Sequence, residues 1–297
     1  MNTERASPRY STIDLWDPGE VLDAMIEGQL AAVAAVHAAR ASLESAALAV
    51  EARLRNGGRL VYAGAGTSGR LAVQDGAELL PTFGWPADRL LVLLAGGPDA
   101  LLRAVEGAED DAEYAARLVH EHQLGEQDAL IAVAASGTTP FTLTVLREAR
   151  RVGAATIGMA NNRDTPLLIS AEHPVLLDTG AEPIAGSTRM KAGTAQRVAL
   201  TVLSSLVMIR LGRVYRGLMV EIQGINSKLA RRSEDILMQL TGIDRNAARA
   251  ALSRTGGDLK AAIRQVDHGA SDKRSAPLNS AVRAEPRSDV PDKRGDK

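Results

Sequence analysis

Cysteine is absent from the 297 residues, which excludes disulfides and thiolate metal sites. Aromatic residues make up only 3% of the chain against 45% hydrophobic residues, so the core must be built from Ala, Leu and Val. Net charge is also scarce: 35 basic and 36 acidic residues leave −1 at neutral pH. Such a chain lacks the electrostatic footprint of a nucleic-acid binder. Histidine occurs five times, and only His120 and His122 lie close together. Two apart on a helix, they face different directions, and no metal site is expected. Residues 200–211 are apolar but too short to span a bilayer, with Arg197 before them and Arg210 near their end. They read as a buried core helix. Residues 1–8 have no apolar stretch of the kind a signal peptide needs. The expectation is a soluble, cytoplasmic protein with no membrane partner and no nucleic-acid partner.

What is present is an alternation of strand and helix patterns. Apolar runs at residues 60–63, 90–94, 129–134, 155–159 and 174–177 read as strands. Helical patterns at 70–80, 100–123 (with a break near Gly107) and 140–152 lie between most of them. Nearly continuous apolar strands separated by helices predict an α/β fold, a doubly wound parallel sheet flanked by helices. Ahead of it, Asp17, Pro18 and Glu20 mark a helix start. An Ala-rich pattern then runs to about Arg55, where Asn56-Gly-Gly58 stops it. Residues 189–211 and 226–240 read as further helices. Residues 234–266 resemble a small three-helix, ubiquitin-associated-like unit. From His268 the chain is rich in Ser, Pro, Asp, Lys and Arg and is expected to be disordered. The expected organisation is 1–56 N-terminal segment and long helix, 57–232 sheet domain, 233–267 helical unit and 268–297 tail.

Two loops carry the chemistry. Gly64-Ala-Gly-Thr-Ser-Gly-Arg70 joins the first strand to a helix, and Ala135-Ser-Gly-Thr-Thr-Pro140 does the same after the third. Helix N–H groups and Ser/Thr hydroxyls at such turns favour an anion. Glycine is also common in ordinary turns of this kind, but two such loops on parallel strands point to one phosphate. Neither is a P-loop, because the Lys-Ser/Thr ending is missing. The spacing Gly64, Gly66, Gly69 matches a dinucleotide fingerprint. Its hydroxyls and the lack of a ribose-binding carboxylate about twenty residues on argue against that reading. A third element, residues 180–194, sets Arg189 and Lys191 at a helix start, against the dipole. A bound anion would offset that cost; a solvated basic turn is the plainer alternative. Asp75, Glu78, Glu106, Glu109 and Asp110 are the carboxylates near these elements.

The runs Leu60-Val-Tyr-Ala-Gly-Ala-Gly-Thr-Ser-Gly-Arg-Leu-Ala, Asp75-Gly-Ala-Glu78, Ala104-Val-Glu-Gly-Ala-Glu-Asp110, Ala135-Ser-Gly-Thr-Thr-Pro140 and Gly186-Ser-Thr-Arg-Met-Lys-Ala-Gly-Thr-Ala-Gln196 resemble the N-acetylmuramic acid 6-phosphate etherases of the sugar isomerase (SIS) superfamily. The resemblance covers residues 3 to 266. It implies cleavage of the D-lactyl ether at C3 of N-acetylmuramic acid 6-phosphate, giving N-acetylglucosamine 6-phosphate and D-lactate. It implies elimination followed by water addition, with no cofactor and no metal. It assigns Glu78 and Glu109 as the acid/base pair: Glu78 protonates the departing oxygen, and Glu109 handles the C2 proton or the incoming water. It assigns the sugar phosphate to Gly66, Thr67, Ser68, Gly69, Ser136, Gly137 and Thr139, including the N–H groups of Gly69 and Gly137. Ser187 is a candidate for sugar hydroxyls. Lys191 and Arg189 are candidates for the phosphate or the lactyl carboxylate. A non-catalytic sugar-phosphate regulator and an aldose–ketose isomerase of the same superfamily are the competing readings.

One length does not fit a single chain. Ten residues separate Ser68 from Glu78, about 15 Å if all of it is helix. Either the helix breaks early or Glu78 serves a neighbouring subunit's sugar. The family is dimeric, so the resemblance implies a homodimer with sites at the interface.

Overall fold

The N–H of Asp17 donates to the Glu20 carboxylate at 3.3 Å, fastening the start of α1 (Pro18–Ala38). The predicted single long helix is in fact two, because the buried Ala39 leaves the helical conformation before α2 (Arg40–Arg55) begins. In this computed structural model residues 1–221 and 227–271 are described. The chain divides into two compact units, Met1–Leu229 and Ala230–Lys297.

The first unit continues with β1 (Leu60–Gly64), α3 (Gly66–Phe83), β2 (Leu90–Leu94), α4 (Ala112–Glu121), β3 (Ala129–Val133), α5 (Pro140–Arg151), β4 (Ala155–Ala160), α6 (Pro166–Ser170), β5 (His173–Leu176) and α7 (Lys191–Arg210). The strands form one parallel sheet in the order β2-β1-β3-β4-β5. Alternate residues of β1 serve opposite faces. Leu60 and Tyr62 join α1, α2, α3 and α7 in one apolar cluster; Val61 and Ala63 join α4, α5 and α6 in the other. Every residue of β1, β3 and β4 is buried, as expected for central strands covered on both sides. The turn at Ala39 lets α1 run along α7 while α2 reaches the sheet at β3, β4 and β5, which one straight rod could not do.

Of the helical pattern expected over 100–123, only α4 is regular α-helix; the expected break near Gly107 is present, with Gly107 at φ +71°. Short 3-10 turns at Pro98–Leu101 and Ala108–Asp110 precede α4. A small antiparallel hairpin, β6 (Val214–Tyr215) with β7 (Leu218–Met219), follows α7 and has no counterpart in the sequence reading. By length and composition α1 and α7 would each pass as a membrane span, yet 56% of the apolar window of α7 is buried, as for a core helix.

In the second unit, α8 (Ser227–Thr241) from Ala230 on, α9 (Arg245–Arg254) and α10 (Leu259–Ser271) bury Leu237, Ala248, Ala251, Leu259 and Ala262. Asp244 caps α9 by accepting the Ala247 N–H at 2.9 Å. The buried Glu234 accepts from Arg245 and Arg249 at 3.0 and 2.9 Å. The helix start expected at Asn226 lies outside the described residues, as does the expected tail beyond residue 271.

Candidate functional site

The strand order reverses between β1 and β3: β2 lies on the outer side of β1, while β4 and β5 extend beyond β3. Ligands of open parallel sheets bind beyond the carboxyl ends of the strands at such a switch point. Both hydroxyl-bearing loops leave from it, because Gly64 and Val133 are paired at the ends of the two strands.

The first loop is tighter than the sequence suggests. The helix begins at Gly66 and not Arg70, so Thr67, Ser68 and Gly69 form the first turn of α3. Glycine and hydroxyl residues read locally as a turn, but here the start of the helix rests directly on the end of the strand. A Cβ on Gly69 would stand 2.7 Å from the Gly64 carbonyl oxygen and 2.4 Å from Leu94. No side chain caps α3, so its leading N–H groups face outward without an internal acceptor. Ser68 is 7% exposed, and its hydroxyl has no hydrogen-bond partner among the described residues. Such an uncapped helix start favours an anion.

In the second loop the Ser136 and Thr139 hydroxyls lie 3.3 Å apart, and Ser136 accepts the Thr138 N–H at 3.2 Å. Gly137 has φ +68°, and a Cβ there would meet the Thr165 hydroxyl at 2.3 Å. Two expected phosphate donors are otherwise engaged: Gly69 N–H donates to Ala65 and Gly137 N–H to Ala134, each at 3.0 Å. The available donors are the N–H groups ahead of Gly69 and the hydroxyls. Asn162 holds the base of this loop by donating to the Ala135 carbonyl at 2.9 Å. Asn162 also donates to the Thr3 hydroxyl at 2.8 Å, which ties the wholly buried Thr3 to the same edge.

The two expected catalytic carboxylates are exposed, and neither has a hydrogen-bond or ion-pair partner among the described residues. Glu109 sits on the 3-10 turn before α4. Arg70 steadies the segment ahead of it by donating to the Ala100 and Arg103 carbonyls at 2.7 and 3.3 Å. Glu78 lies far along α3, which runs unbroken from Gly66 past it, with its internal proline only at Pro81. The structure therefore does not bring Glu78 to the Ser68 end of its own helix. Asp75, three residues earlier, is buried. It accepts from Tyr62 at 2.8 Å and Thr201 at 3.3 Å, with Arg197 at 3.7 Å. Its bonds tie α3 to α7.

At the third element the helix starts at Lys191 and not Arg189. Arg189 is exposed, while Lys191 is buried. The expected dipole penalty is offset from inside the protein: the buried Glu182 accepts the N–H groups of Lys191 and Ala192 at 3.0 and 2.8 Å. Ser187 is half-buried in the turn before α7, and its N–H donates to Ile184 at 2.9 Å. Among the described residues, no group of three or more His, Asp or Glu side chains converges to hold a metal ion.

Residues 43–150 match the family described as the glucokinase regulatory protein N-terminal SIS domain, and residues 109–206 match the SIS domain family. The N-acetylmuramic acid 6-phosphate etherase of Deinococcus radiodurans is 51% identical, covering 88% of this chain and 86% of the relative. That of Rubrobacter xylanophilus is 42% identical, covering 88% and 87%. The chain belongs to the N-acetylmuramic acid 6-phosphate etherase family. Among solved structures, a protein provisionally described as a phosphosugar isomerase involved in capsule formation, from Bacteroides fragilis, shares the SIS fold. Its TM-score is 0.50 at 20% identity, covering 69% of this chain and 98% of that one.

Membership of the etherase family gives the switch-point loops their context, but the partners of several residues that shape the edge carry no sequence signal. Glu182 is one carboxylate among 36 acidic residues. Gln196 donates to Asn161 at 2.9 Å, and Asn161 to the Leu177 carbonyl at 2.9 Å, in a buried polar layer past β4 and β5. Long-range contacts alone reveal them.

Proposed function

We propose that this etherase-family chain cleaves the D-lactyl ether of N-acetylmuramic acid 6-phosphate, as a carbon–oxygen lyase of the hydro-lyase type, in amino-sugar recycling. The observation that carries the reading is the open, uncapped start of α3, with its unpartnered Ser68, beside the Ser136–Thr139 pair at the β1/β3 switch point. These groups hold the 6-phosphate with neutral donors and the helix dipole. Ring opening exposes a C1 aldehyde, which acidifies the C2 proton. Glu109 takes that proton while Glu78 protonates the C3 ether oxygen, and D-lactate leaves. Water then adds across the C2–C3 double bond, hydroxyl to C3 and proton to C2, giving N-acetylglucosamine 6-phosphate. Two acid/base groups suffice for each half of this sequence.

The unbroken α3 supports a composite site in a homodimer, with the partner's Glu78 serving this chain's sugar. Leu22, Ile26, Leu30 and Val33 form an exposed apolar stripe at helical spacing on α1, and Val202 and Ile209 are exposed on α7. A cavity of about 390 Å³ lies beside them, lined by Val36, Leu43, Leu48, Val202 and Leu206 among others. A second copy over this face would cover the stripe and provide the water-poor setting that favours acid/base catalysis. The same reading implies a cytoplasmic enzyme with no membrane or nucleic-acid partner.

The test is D-lactate release from N-acetylmuramic acid 6-phosphate in ¹⁸O-labelled water by wild type, Glu78→Gln and Glu109→Gln. Label at C3 of the sugar, none in lactate, and turnover lowered about 10²–10⁴-fold in each variant are expected. Sugar-phosphate binding without lactate release by the wild type would move the chain to the regulator class.

A further inference from the structure

Every N–H group in the first turn of α7 has an internal acceptor. Glu182, with no solvent exposure, takes those of Lys191 and Ala192; the Thr188 carbonyl takes that of Gly193 at 2.8 Å. The backbone of α7 therefore offers an anion nothing, unlike that of α3. The Lys191 side chain is different. Lys191 is 7% exposed and is the one buried Lys or Arg among the described residues. Its ammonium has no hydrogen-bond or ion-pair partner among them. Burial holds that ammonium below the usual lysine range; Glu182 works against the shift and Arg9 with it.

The stem of this lysine runs across α1 at a glycine. A Cβ on Gly28 would stand 3.0 Å from Lys191 Cδ and 3.1 Å from Cγ. Glycine in the middle of a helix costs stability relative to alanine, and here the missing methyl is the space the lysine occupies. The same turn of α7 abuts the phosphate loop: a Cβ on Gly193 would lie 3.6 Å from Thr67 Cγ2.

We propose that Gly28 and Glu182 are positioning residues that aim the Lys191 ammonium at the lactyl carboxylate of the substrate. The inference rests on the etherase reading and specifies its second anion site. The phosphate already has the start of α3 and the loop hydroxyls. The lactyl carboxylate is the remaining anion, and a cation whose stem is buried and whose head has already lost part of its hydration meets it with less further desolvation than a surface lysine would. The site thereby separates a lactyl-bearing sugar phosphate from a lactyl-free one, and its ligand departs with the lactate.

The experiment measures KM for N-acetylmuramic acid 6-phosphate and the inhibition constant of N-acetylglucosamine 6-phosphate, in wild type, Lys191→Met, Gly28→Ala and Glu182→Gln. Lys191→Met should raise KM roughly 10- to 100-fold, as for loss of a hydrogen bond to a charged group, with the inhibition constant of the lactyl-free sugar unchanged. Gly28→Ala should shift KM in the same selective way, because its methyl displaces the lysine stem, while the better helix propensity of alanine offsets part of the crowding. Glu182→Gln leaves one acceptor oxygen for two N–H groups and should show the same split. A parallel rise of KM and inhibition constant in Lys191→Met would overturn the carboxylate assignment in favour of the phosphate. Unchanged KM in Gly28→Ala and Glu182→Gln would overturn their positioning role. Wild type that releases no lactate would instead remove the etherase reading itself.

Discussion

Two crippled chains should rescue each other if Glu78 serves the sugar bound by the neighbouring subunit. The reason is a length: α3 is continuous from Gly66 to Phe83, so Ser68 and Glu78 stand about 15 Å apart along its axis. One hexose phosphate is too short to touch both. The perturbation is Glu78→Gln in one chain and Ser68→Ala with Ser136→Ala in the other. Glu78→Gln removes an acid/base group, a loss of about 10²–10⁴-fold. The double variant removes two hydroxyl bonds to a phosphate, together about 3–6 kcal/mol or at least 100-fold. Each homodimer is then nearly inactive. In a hybrid dimer, one site combines intact hydroxyls with the partner's intact Glu78, and the other site lacks both. Random mixing makes about half of the dimers hybrids, so activity should recover to about a quarter of wild type. Hybrids purified through two different tags should show about half of wild-type D-lactate release. Hybrids no more active than either parent would refute the trans assignment, as would a fully active monomer in gel filtration.

Other outcomes follow from single contacts. Gly137→Ala forces a Cβ against Thr165 at φ +68° and should lower stability by about 2–4 kcal/mol in urea unfolding, with phosphate affinity falling too. Asp75→Ala removes the 2.8 Å acceptor of the wholly buried Tyr62 hydroxyl, leaving it only Ser204, and should cost about 1–3 kcal/mol by the same assay. Burial pushes the Asp128 carboxyl up, but Arg59, bonded at 2.7 and 3.0 Å, and the N–H groups of Gly125 and Arg59 hold it below the usual range. A depressed folded-state value means stability that is present above the unfolded carboxyl's range of about pH 4 and lost as pH falls through the folded one. Asp128→Asn should therefore be less stable at pH 7 and lose less on going to pH 3. An equal loss in variant and wild type would exclude this contribution.

The strands were legible because central parallel strands are apolar on both faces, and β1 and β3 show that pattern from end to end. Helix boundaries were less so. Ala39 ends α1 although alanine is the best helix former, because the break serves the two surfaces that α1 and α2 cover. The 3-10 turns before α4 broke an apparently helical run, and Glu109 rides on one of them. Composition carries no signal for the first, whereas Gly107, at φ +71°, marked the second.

Local order in the chain determined the α/β class, the two hydroxyl loops at the carboxyl edge and the carboxylates of the etherase motifs, since each is a short-range pattern of residue types. Tertiary structure alone decided which donors stay free. Gly69 and Gly137 give their N–H groups to Ala65 and Ala134, while the leading turn of α3 keeps its own. It also decided that Lys191 and not Arg189 is buried, that Glu182 closes the start of α7, and that α3 runs straight past Glu78. These are matters of which side chain meets which backbone across long separations. Only the packed sheet and its helices set them, because burial and hydrogen bonding are settled by neighbours in space and not along the chain.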